Sequence, residues 1–569
     1  MKDRFSANTP HITKVCILAL TTFLLALTLR MAEWPSWQDP EFRLGSEWLL
    51  ATHDAYHWVA GAEGFGLAKD HPMALLLKVM SDLTSIPSAS IAFWFPMILA
   101  SLVAVIVFAW VWALGSMEAG LAAGLLTTLS PGFFARTMLG FYDTDLITLF
   151  FPLLMTLVPA AWAMRHMVLP HIVLRKLMRL PAPKNKKEEP NTPKASRKDA
   201  SETPQGRPLA WQWIVGLSLS GLLASATAGW HSVFPYLIRY NCLLLACMAI
   251  FLVPKQRRGL LLIGAFTYVF PSLLGVYGLC FSVLVLFATH PWLRTLLRIL
   301  VHPACLTILC LLCLFLLVQG DIAQSVINHL NAYIKHSADI KSSGSGTTLV
   351  YPSVAQSIVE VQDLNFATLL SYFHPWPEAA FLGLIGFVFV LFYRAGALFL
   401  LPLAALALLS TRLGGRMVMF GAPIIGIGLS IPLFWIIQAV VRPKFRGFWA
   451  GMGTSMILIA MLIVPFVDLI PAMSQGPMIN RRHADALTRA RAMTPEDALL
   501  WLWWDWGYAA HHFSQRNTIA DGAQHAGPSL YLPAAVLATD RISFPLPFPL
   551  AAPVMIPGMS KICIWALLY

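Results

Sequence analysis

Window after window of roughly twenty residues in this chain is nearly free of charge, and nothing else constrains its fold as much. A helix of that length crosses the hydrocarbon core of a bilayer. Lipid offers no partner to an exposed N–H or C=O, so such windows fold as helices. Composition agrees. Of 569 residues, 57% are hydrophobic and only 12% charged, about half the charge of a soluble chain, and mean hydropathy is +0.66. The windows predict about thirteen spans, near 12–30, 86–113, 117–130, 146–165, 209–229, 232–253, 259–274, 275–290, 299–319, 377–393, 396–411, 417–440 and 446–469. Some boundaries are soft, those within 259–290 above all. The expected fold class is an all-α polytopic membrane protein.

The net charge of +12 would suit a nucleic-acid partner, but its distribution excludes one. Lys and Arg sit mainly in short connections between apolar stretches, the positive-inside pattern. Lys2, Arg4 and Lys14 precede an apolar run from Val15 to Leu29. No small-residue cleavage site follows cleanly, so the run reads as a retained first helix with a cytoplasmic N-terminus. Arg175, Lys176, Arg179, Lys255 to Arg258, Arg294, Arg298, Arg394, Arg442, Lys444 and Arg446 fall on that same side. So does the tract 181–208, rich in Lys, Glu, Pro and Ser, which reads as a disordered linker. Most of the eight cysteines lie inside apolar spans without metal spacing and read as small core residues.

The far side then holds segments 31–85, 131–145, 320–376 and 470 onward, with the short turn 412–416. Three acidic signals lie there: His53-Asp54-Ala55-Tyr56, Phe141-Tyr142-Asp143-Thr144-Asp145, and Ser357-Ile358-Val359-Glu360. Two carboxylates one residue apart at the mouth of an apolar helix could hold a hard divalent cation. They could equally cap that helix. Glu360 alone would pass for a solvated surface charge. Arg136 and Arg416 stand where Lys and Arg are depleted. Beside Gly414 and Gly415, Arg416 suits a phosphate ligand, because guanidinium binds bidentately; a snorkelling arginine is the alternative. Finally, Trp503, Trp504, Asp505, Trp506 and Gly507 form the run WWDWG. A carboxylate among three indoles suggests a pocket for something small and polar, or else a packing corner or interfacial belt.

In order, spacing and side, these motifs resemble the catalytic subunit of asparagine-linked oligosaccharyltransferase, in its bacterial single-subunit form. The resemblance runs from about Glu33 to about Asp540 and takes in DAY, YDTD, SIVE, GGR, WWDWG and DGAQH. It implies about thirteen spans of the GT-C glycosyltransferase type, followed by a mixed α/β extracytoplasmic domain. It implies transfer of an oligosaccharide from a polyprenyl diphosphate to the Asn amide of an Asn-X-Ser/Thr sequon. By matched motif, Asp54, Asp143, Asp145 and Glu360 would bind Mn²⁺ or Mg²⁺. Asp54 and Glu360 would share the acceptor amide. Arg136 would support the acidic cluster, and Arg416 would hold the donor diphosphate. Trp503, Trp504 and Asp505, with Trp506 and Gly507 completing the run, would bind the sequon hydroxyl. The implied setting is a bacterial inner membrane, the site facing the periplasm, in a monomeric enzyme whose partners are the lipid-linked donor, the acceptor polypeptide and the bilayer.

Three departures stand out. Trp506 replaces the family's Tyr, a mild change. Thr52 stands where a second carboxylate often sits. The stretch after about 540 is Pro-rich and apolar with no helical or strand period, and reads as a truncated or out-of-frame end; an incomplete domain over 470–569 and reduced activity are expected. Two other readings compete. A related membrane glycosyltransferase acting on Ser/Thr or lipid would lack WWDWG. A transporter would carry its ionisable residues inside the spans.

Overall fold

The computed structural model describes residues 9–167, 211–231, 233–287, 302–318, 362–440 and 448–523. The chain opens with α1 (Thr9–Arg30), followed on the loop side by an antiparallel pair, β1 (Arg43–Leu44) and β2 (Glu47–Trp48), and by α2 (His53–Ala62) and α3 (Pro72–Thr84). Then come α4 (Ser88–Ala113), α5 (Ala119–Leu129), α6 (Pro131–Phe134), α7 (Asp145–His166), α8 (Trp211–Thr227), α9 (Phe234–Phe251), α10 (Lys255–Leu274), α11 (Leu279–Phe287) and α12 (Pro303–Val318). After them lie α13 (Phe366–Phe373), α14 (Pro377–Tyr393), α15 (Leu401–Leu413), α16 (Gly421–Val440) and α17 (Phe448–Leu462). Beyond residue 470 stand α18 (Arg481–Met493), α19 (Gly507–Ser514) and a two-residue parallel pair, β3 (Leu499–Leu500) with β4 (Asn517–Thr518). Between 470 and 523 the only strands described are that two-residue pair, which does not establish the expected mixed α/β domain.

Seven helical stretches among the described residues are long and apolar enough to cross a membrane, or eight if the bent pair α13–α14 is one span. That count falls short of the expected thirteen. The spans expected near 117–130, 209–229, 299–319, 377–393 and 446–469 are present as shorter apolar helices, of 11, 17, 16, 17 and 15 residues. Proline explains part of the shortening: Pro131 follows α5 and starts a new turn, and an 86° bend separates α13 from α14 beside Pro375 and Pro377. Hydropathy runs 257–285 as one stretch, but the packing divides it. Phe281 lies 4.7 Å from the Phe270 ring and 6.0 Å from Phe266, whereas fifteen residues of straight helix would hold the latter pair about 22 Å apart. The chain reverses at Gly275, whose φ of +59° suits glycine. The reversal falls where the sequence divided its two spans.

One buried network positions the loops. Arg30, at the end of α1, is fully buried and donates to the Thr128 carbonyl (2.6 Å), the Thr137 carbonyl (2.5 Å) and Thr137 Oγ1 (2.9 Å), with Phe134 beneath its guanidinium. Glu33, also buried, accepts the Leu139 N–H at 3.0 Å. Together they hold the segment that leads into Asp143. Backbone bonds continue the knot: Gly140 N–H to the Phe93 carbonyl, Ala51 N–H to the Gly140 carbonyl and Met478 N–H to the Leu50 carbonyl. Segments 31–85, 131–145 and 470 onward are thereby tied at one end of the helix bundle.

Candidate functional site

Asp143 and Asp145 flank the start of α7 and are 3% and 1% exposed. They do not cap it. The N-cap is Thr144, which makes no capping bond through its side chain. Asp143 Oδ1 instead accepts the adjacent Thr144 N–H (2.6 Å) and the indole N–H of Trp58 (3.4 Å). Thr144 Oγ1 donates to the same oxygen (3.3 Å), and the long-range bonds come from the glycine turn more than 270 residues away. Arg416 Nε donates to Asp145 Oδ1 (3.1 Å), and its Nη2 donates to Asp143 Oδ2 (3.1 Å) and Asp145 Oδ1 (3.0 Å). Arg136 Nη1 stands 3.4 Å from Asp145 Oδ2. Burial pushes the Asp143 carboxyl above the usual carboxylate range, and the neighbouring Asp145 pushes the same way; Arg416, the Thr144 N–H and Arg136 oppose them.

Two arginines thus meet two buried carboxylates. Arg416 Nη1 bonds to nothing among the described residues, and the side chain is 36% exposed. Among the described residues, Arg416 is thus a partly exposed cation at the edge of an acidic corner.

Asp54 lies in the first turn of α2, and its charge acts on both Arg416 and Tyr508. That places it between the acidic corner and the tryptophan run. One helical turn on, Trp58 reaches Asp143 and stacks tilted on His71 with ring centroids 4.5 Å apart. His57 packs on Tyr508 at 4.2 Å. Burial holds His57 near a pKa of about 4, so it is neutral at pH 7; Asp521 pulls the other way. His53, half-buried at the start of the same helix, is likewise held at about 4 by burial.

The tryptophan run forms a 3-10 turn over Trp504–Trp506 that leads directly into α19. Trp503, Trp504, Asp505 and Trp506 are all half-buried. Trp506 packs edge-on against His483 with centroids 4.0 Å apart and touches the hydrophobic core. Gly507 closes the run. A Cβ there would stand 2.5 Å from the Ala520 carbonyl oxygen and 2.6 Å from Asp521 Cβ, so the first residue of DGAQH can lie against it only because it is glycine. Tyr508 follows. Burial raises its phenol, and Asp54, Asp521 and Asp143 raise it further, so it keeps its proton.

The structure brings together Asp54, Asp143, Asp145, Arg136 and Arg416, and docks the run 503–507 beside them through α2 and α19. Glu360 lies outside the described residues, as do tract 181–208 and everything past 523. Sequence reasoning passed over His57, Trp58, His71, Tyr508 and Asp521. The first two were within reach, because they stand three and four positions after Asp54 on one helix face.

The donor set suits a hard cation in chemistry: all oxygens, with Asp145 Oδ2 buried and accepting no hydrogen bond. Among the described residues, though, no three His, Cys, Asp or Glu side chains stand together as an ion's ligands.

Comparison with known proteins supplies the remaining context. Residues 73–475 match the family model "Oligosaccharyl transferase STT3, N-terminal", and residues 496–544 match the "STT3/PglB/AglB core domain". An undecaprenyl-diphosphooligosaccharide–protein glycotransferase of Campylobacter jejuni is 22% identical over 229 residues, 40% of this chain and 31% of that protein. A dolichyl-phosphooligosaccharide–protein glycotransferase of Pyrococcus horikoshii is 26% identical over 119 residues, 21% of this chain and 15% of its own length. The matched stretch thus spans about a third of the Campylobacter relative or less of the others. Among solved structures, the Archaeoglobus fulgidus oligosaccharyltransferase with Zn and sulfate aligns with a TM-score of 0.55 at 13% identity, over 89% of this chain and 62% of that one. The same archaeal protein, tethered to an acceptor peptide with an NVT sequon, aligns at 0.54 and 15% identity, over 89% and 64%. At those identities the likeness is one of fold.

Proposed function

The chain belongs to the STT3 oligosaccharyl transferase family, and from that premise we propose that it moves an oligosaccharide from a polyprenyl diphosphate to the side-chain amide of Asn in Asn-X-Ser/Thr. One observation carries the reading furthest. Arg416 is locked to Asp143 and Asp145 through Nε and Nη2, while among the described residues Nη1 makes no bond and the side chain is 36% exposed. A guanidinium held from behind and open in front is preorganised for a diphosphate.

In this reading Asp54, with Glu360, accepts hydrogen bonds from the acceptor amide. The nitrogen of an amide is a poor nucleophile because its lone pair is delocalised into the carbonyl. Two carboxylates on its N–H groups weaken that conjugation and receive the proton. The nitrogen forms a bond to the anomeric carbon as the bond to the diphosphate oxygen breaks, with inversion at that carbon. Arg416 binds the leaving diphosphate, and Arg136 steadies Asp145. A divalent cation of the Mn²⁺ or Mg²⁺ class, held by Asp54, Asp143, Asp145 and Glu360, would offset the charge developing on that leaving group. Trp503, Trp504 and Asp505 hydrogen-bond the sequon hydroxyl, with Trp506 and Gly507 shaping the turn. A polar pocket of this kind rejects a residue lacking that hydroxyl because its own groups would be left unpaired. The reading extends to a single-subunit enzyme in a bacterial inner membrane, its site facing the periplasm.

The test is transfer of a lipid-linked oligosaccharide to a fluorescent Asn-X-Thr peptide by the purified chain, with Mn²⁺ or with EDTA. The expected result is a gel shift that needs the metal and vanishes in Asp54→Ala and Glu360→Ala. If no shift appears, and none appears after fusion of the C-terminal portion of a longer relative, the reading is wrong.

A further inference from the structure

Outside the acidic corner, one side chain joins two segments that the reaction needs in register. His512, on α19, is 7% exposed. Its Nε2 lies 2.9 Å from Glu47 Oε1 and its Nδ1 lies 3.1 Å from Glu63 Oε2. An ionised carboxylate only accepts hydrogen bonds, and neutral imidazole has a single N–H to give. Both bonds can form together only if the ring is imidazolium. Glu47 belongs to β2, and Glu63 closes the C-terminal end of α2, the helix whose first turn carries Asp54. The ring also packs on Tyr56, midway along α2, at 5.8 Å. A metal is not what joins the three, since no three such side chains among the described residues are arranged to hold one.

We propose that His512 is a positioning residue: as an imidazolium bolted between Glu47 and Glu63, it holds the helix that follows the tryptophan run against the helix that carries Asp54. The proposal rests on the transferase reading only for its consequence, which is that acceptor subsite and amide-binding carboxylate keep a fixed separation. The bolt itself rests on geometry. α19 begins where the run ends, so a shift of α19 along α2 moves Trp503–Trp506 relative to Asp54.

The titratable groups facing the ring are few. Glu47, Glu63 and Tyr56 meet it from the first loop; burial strongly raises the Tyr56 phenol, so that group stays neutral. His511, its neighbour on α19, turns to Thr518 Oγ1 at 3.0 Å. On α18, His483 faces Trp506, and Arg516 is spent on the Arg491 and Thr494 carbonyls. Burial alone would push the His512 ring down, but its two glutamate partners outweigh burial and hold it at about 9. A base raised in this way gives its full contribution below the ordinary histidine range and loses it as pH rises through about 9. Near neutrality the bolt is therefore a fixed strut rather than a switch.

The test uses the full chain in nanodiscs. KM for the Asn-X-Thr peptide should rise about tenfold between roughly pH 8 and pH 10 in the wild type, the worth of one charge-assisted hydrogen bond. In the double variant Glu47→Gln, Glu63→Gln the step should vanish, because a neutral ring can donate to one amide and accept from the other. In His512→Phe, which keeps the ring packing, KM should be raised and flat. Hydrogen–deuterium exchange over 507–514, corrected for intrinsic rate, reads the bolt without turnover. It should rise above about pH 9 in the wild type and not in the glutamine variant. A wild-type exchange profile with no step overturns the bolt whatever the kinetics show, as does an identical step in the glutamine variant. An exchange step without a KM step overturns the positioning role. An exchange step in a wild type that transfers nothing, alone or fused to the C-terminal portion of a longer relative, supports the bolt and sinks the transferase reading instead.

Discussion

The acidic corner and the tryptophan run are neighbours and are built in opposite ways. The corner is assembled from side chains scattered along the chain. Arg136, Asp143 and Asp145 flank one helix start, and Arg416 arrives from a turn 271 and 273 residues further on. Its cohesion is charge against charge in a buried setting. The run is five consecutive residues whose local turn is set by their own backbone, and its cohesion is ring packing, with Trp506 on His483 and Gly507 against Asp521. A charged site built over long range fails as a unit when one member goes. A local aromatic site fails piece by piece.

Removing Arg416 is the largest break. Arg416→Ala leaves Asp143 and Asp145 buried with, among the described residues, Arg136 as the remaining cation. Breaking a buried pair by taking one partner costs about 3–5 kcal/mol. The lower end applies here, because Arg416 is partly exposed and Arg136 remains. Thermal unfolding in detergent should shift down accordingly, and if Arg416 holds the diphosphate as proposed, kcat should fall by on the order of 10²–10³. Arg416→Lys should recover little, since an ammonium cannot bridge both carboxylates with an arm to spare. Wild-type kcat in Arg416→Ala would show that the corner is structural only.

Next comes the hinge between the regions. Gly507→Ala drives a methyl into the Ala520 carbonyl and Asp521, both backbone-anchored. Overpacking of this kind costs about 1–3 kcal/mol. Because the methyl pushes DGAQH away from the run, KM for the acceptor should rise together with the loss of stability. An unchanged melting temperature would mean that 520–523 gives way freely.

Asp505→Ala sharpens the contrast. It lies in a half-buried turn, so the loss of stability should be smaller than for Arg416→Ala, whose carboxylate partners are almost fully buried. Acceptor KM should rise by about 10–100-fold with kcat nearly intact, the sign of lost binding rather than lost chemistry. Preference for Asn-X-Thr over Asn-X-Val should shrink in proportion. If kcat falls instead while KM holds, Asp505 belongs functionally to the corner.

How far the sequence reached follows the same division. The run was legible because its residues are contiguous, and Asp54, Asp143, Asp145 and Arg416 because each is a charge out of place beside apolar helices. Their partnership was not legible. Nothing local to Arg416 says that it takes up two aspartates rather than facing lipid headgroups, since that bond exists only once the α7 start and the glycine turn are packed together. His512 is the extreme case. Its two partners are 465 and 449 residues away, and each of the three reads singly as a solvated or core residue. The helices themselves were legible by hydropathy, but not their interruptions. The reversal at Gly275 shows in ring contacts, while the apolar character runs straight through it.

The smallest effect is expected at the mild departure of this chain from the family pattern. Trp506→Tyr restores the aromatic that the family carries. The position contributes an edge-on contact with His483 and a flank against the core, and a phenol ring keeps both in smaller form. The backbone bond that closes the turn, Trp506 N–H to the Trp503 carbonyl, does not depend on the side chain. The lost area is that of part of an indole at a half-buried site, so stability should fall by less than about 1.5 kcal/mol. Acceptor KM should stay within about threefold, since in the proposed reading Trp506 shapes the turn while Asp505 carries the polar contact. A large rise in KM for this variant would show that the Trp506 indole itself touches the acceptor. The run would then be a pocket with three walls, and less separable from its neighbour than its local construction implies.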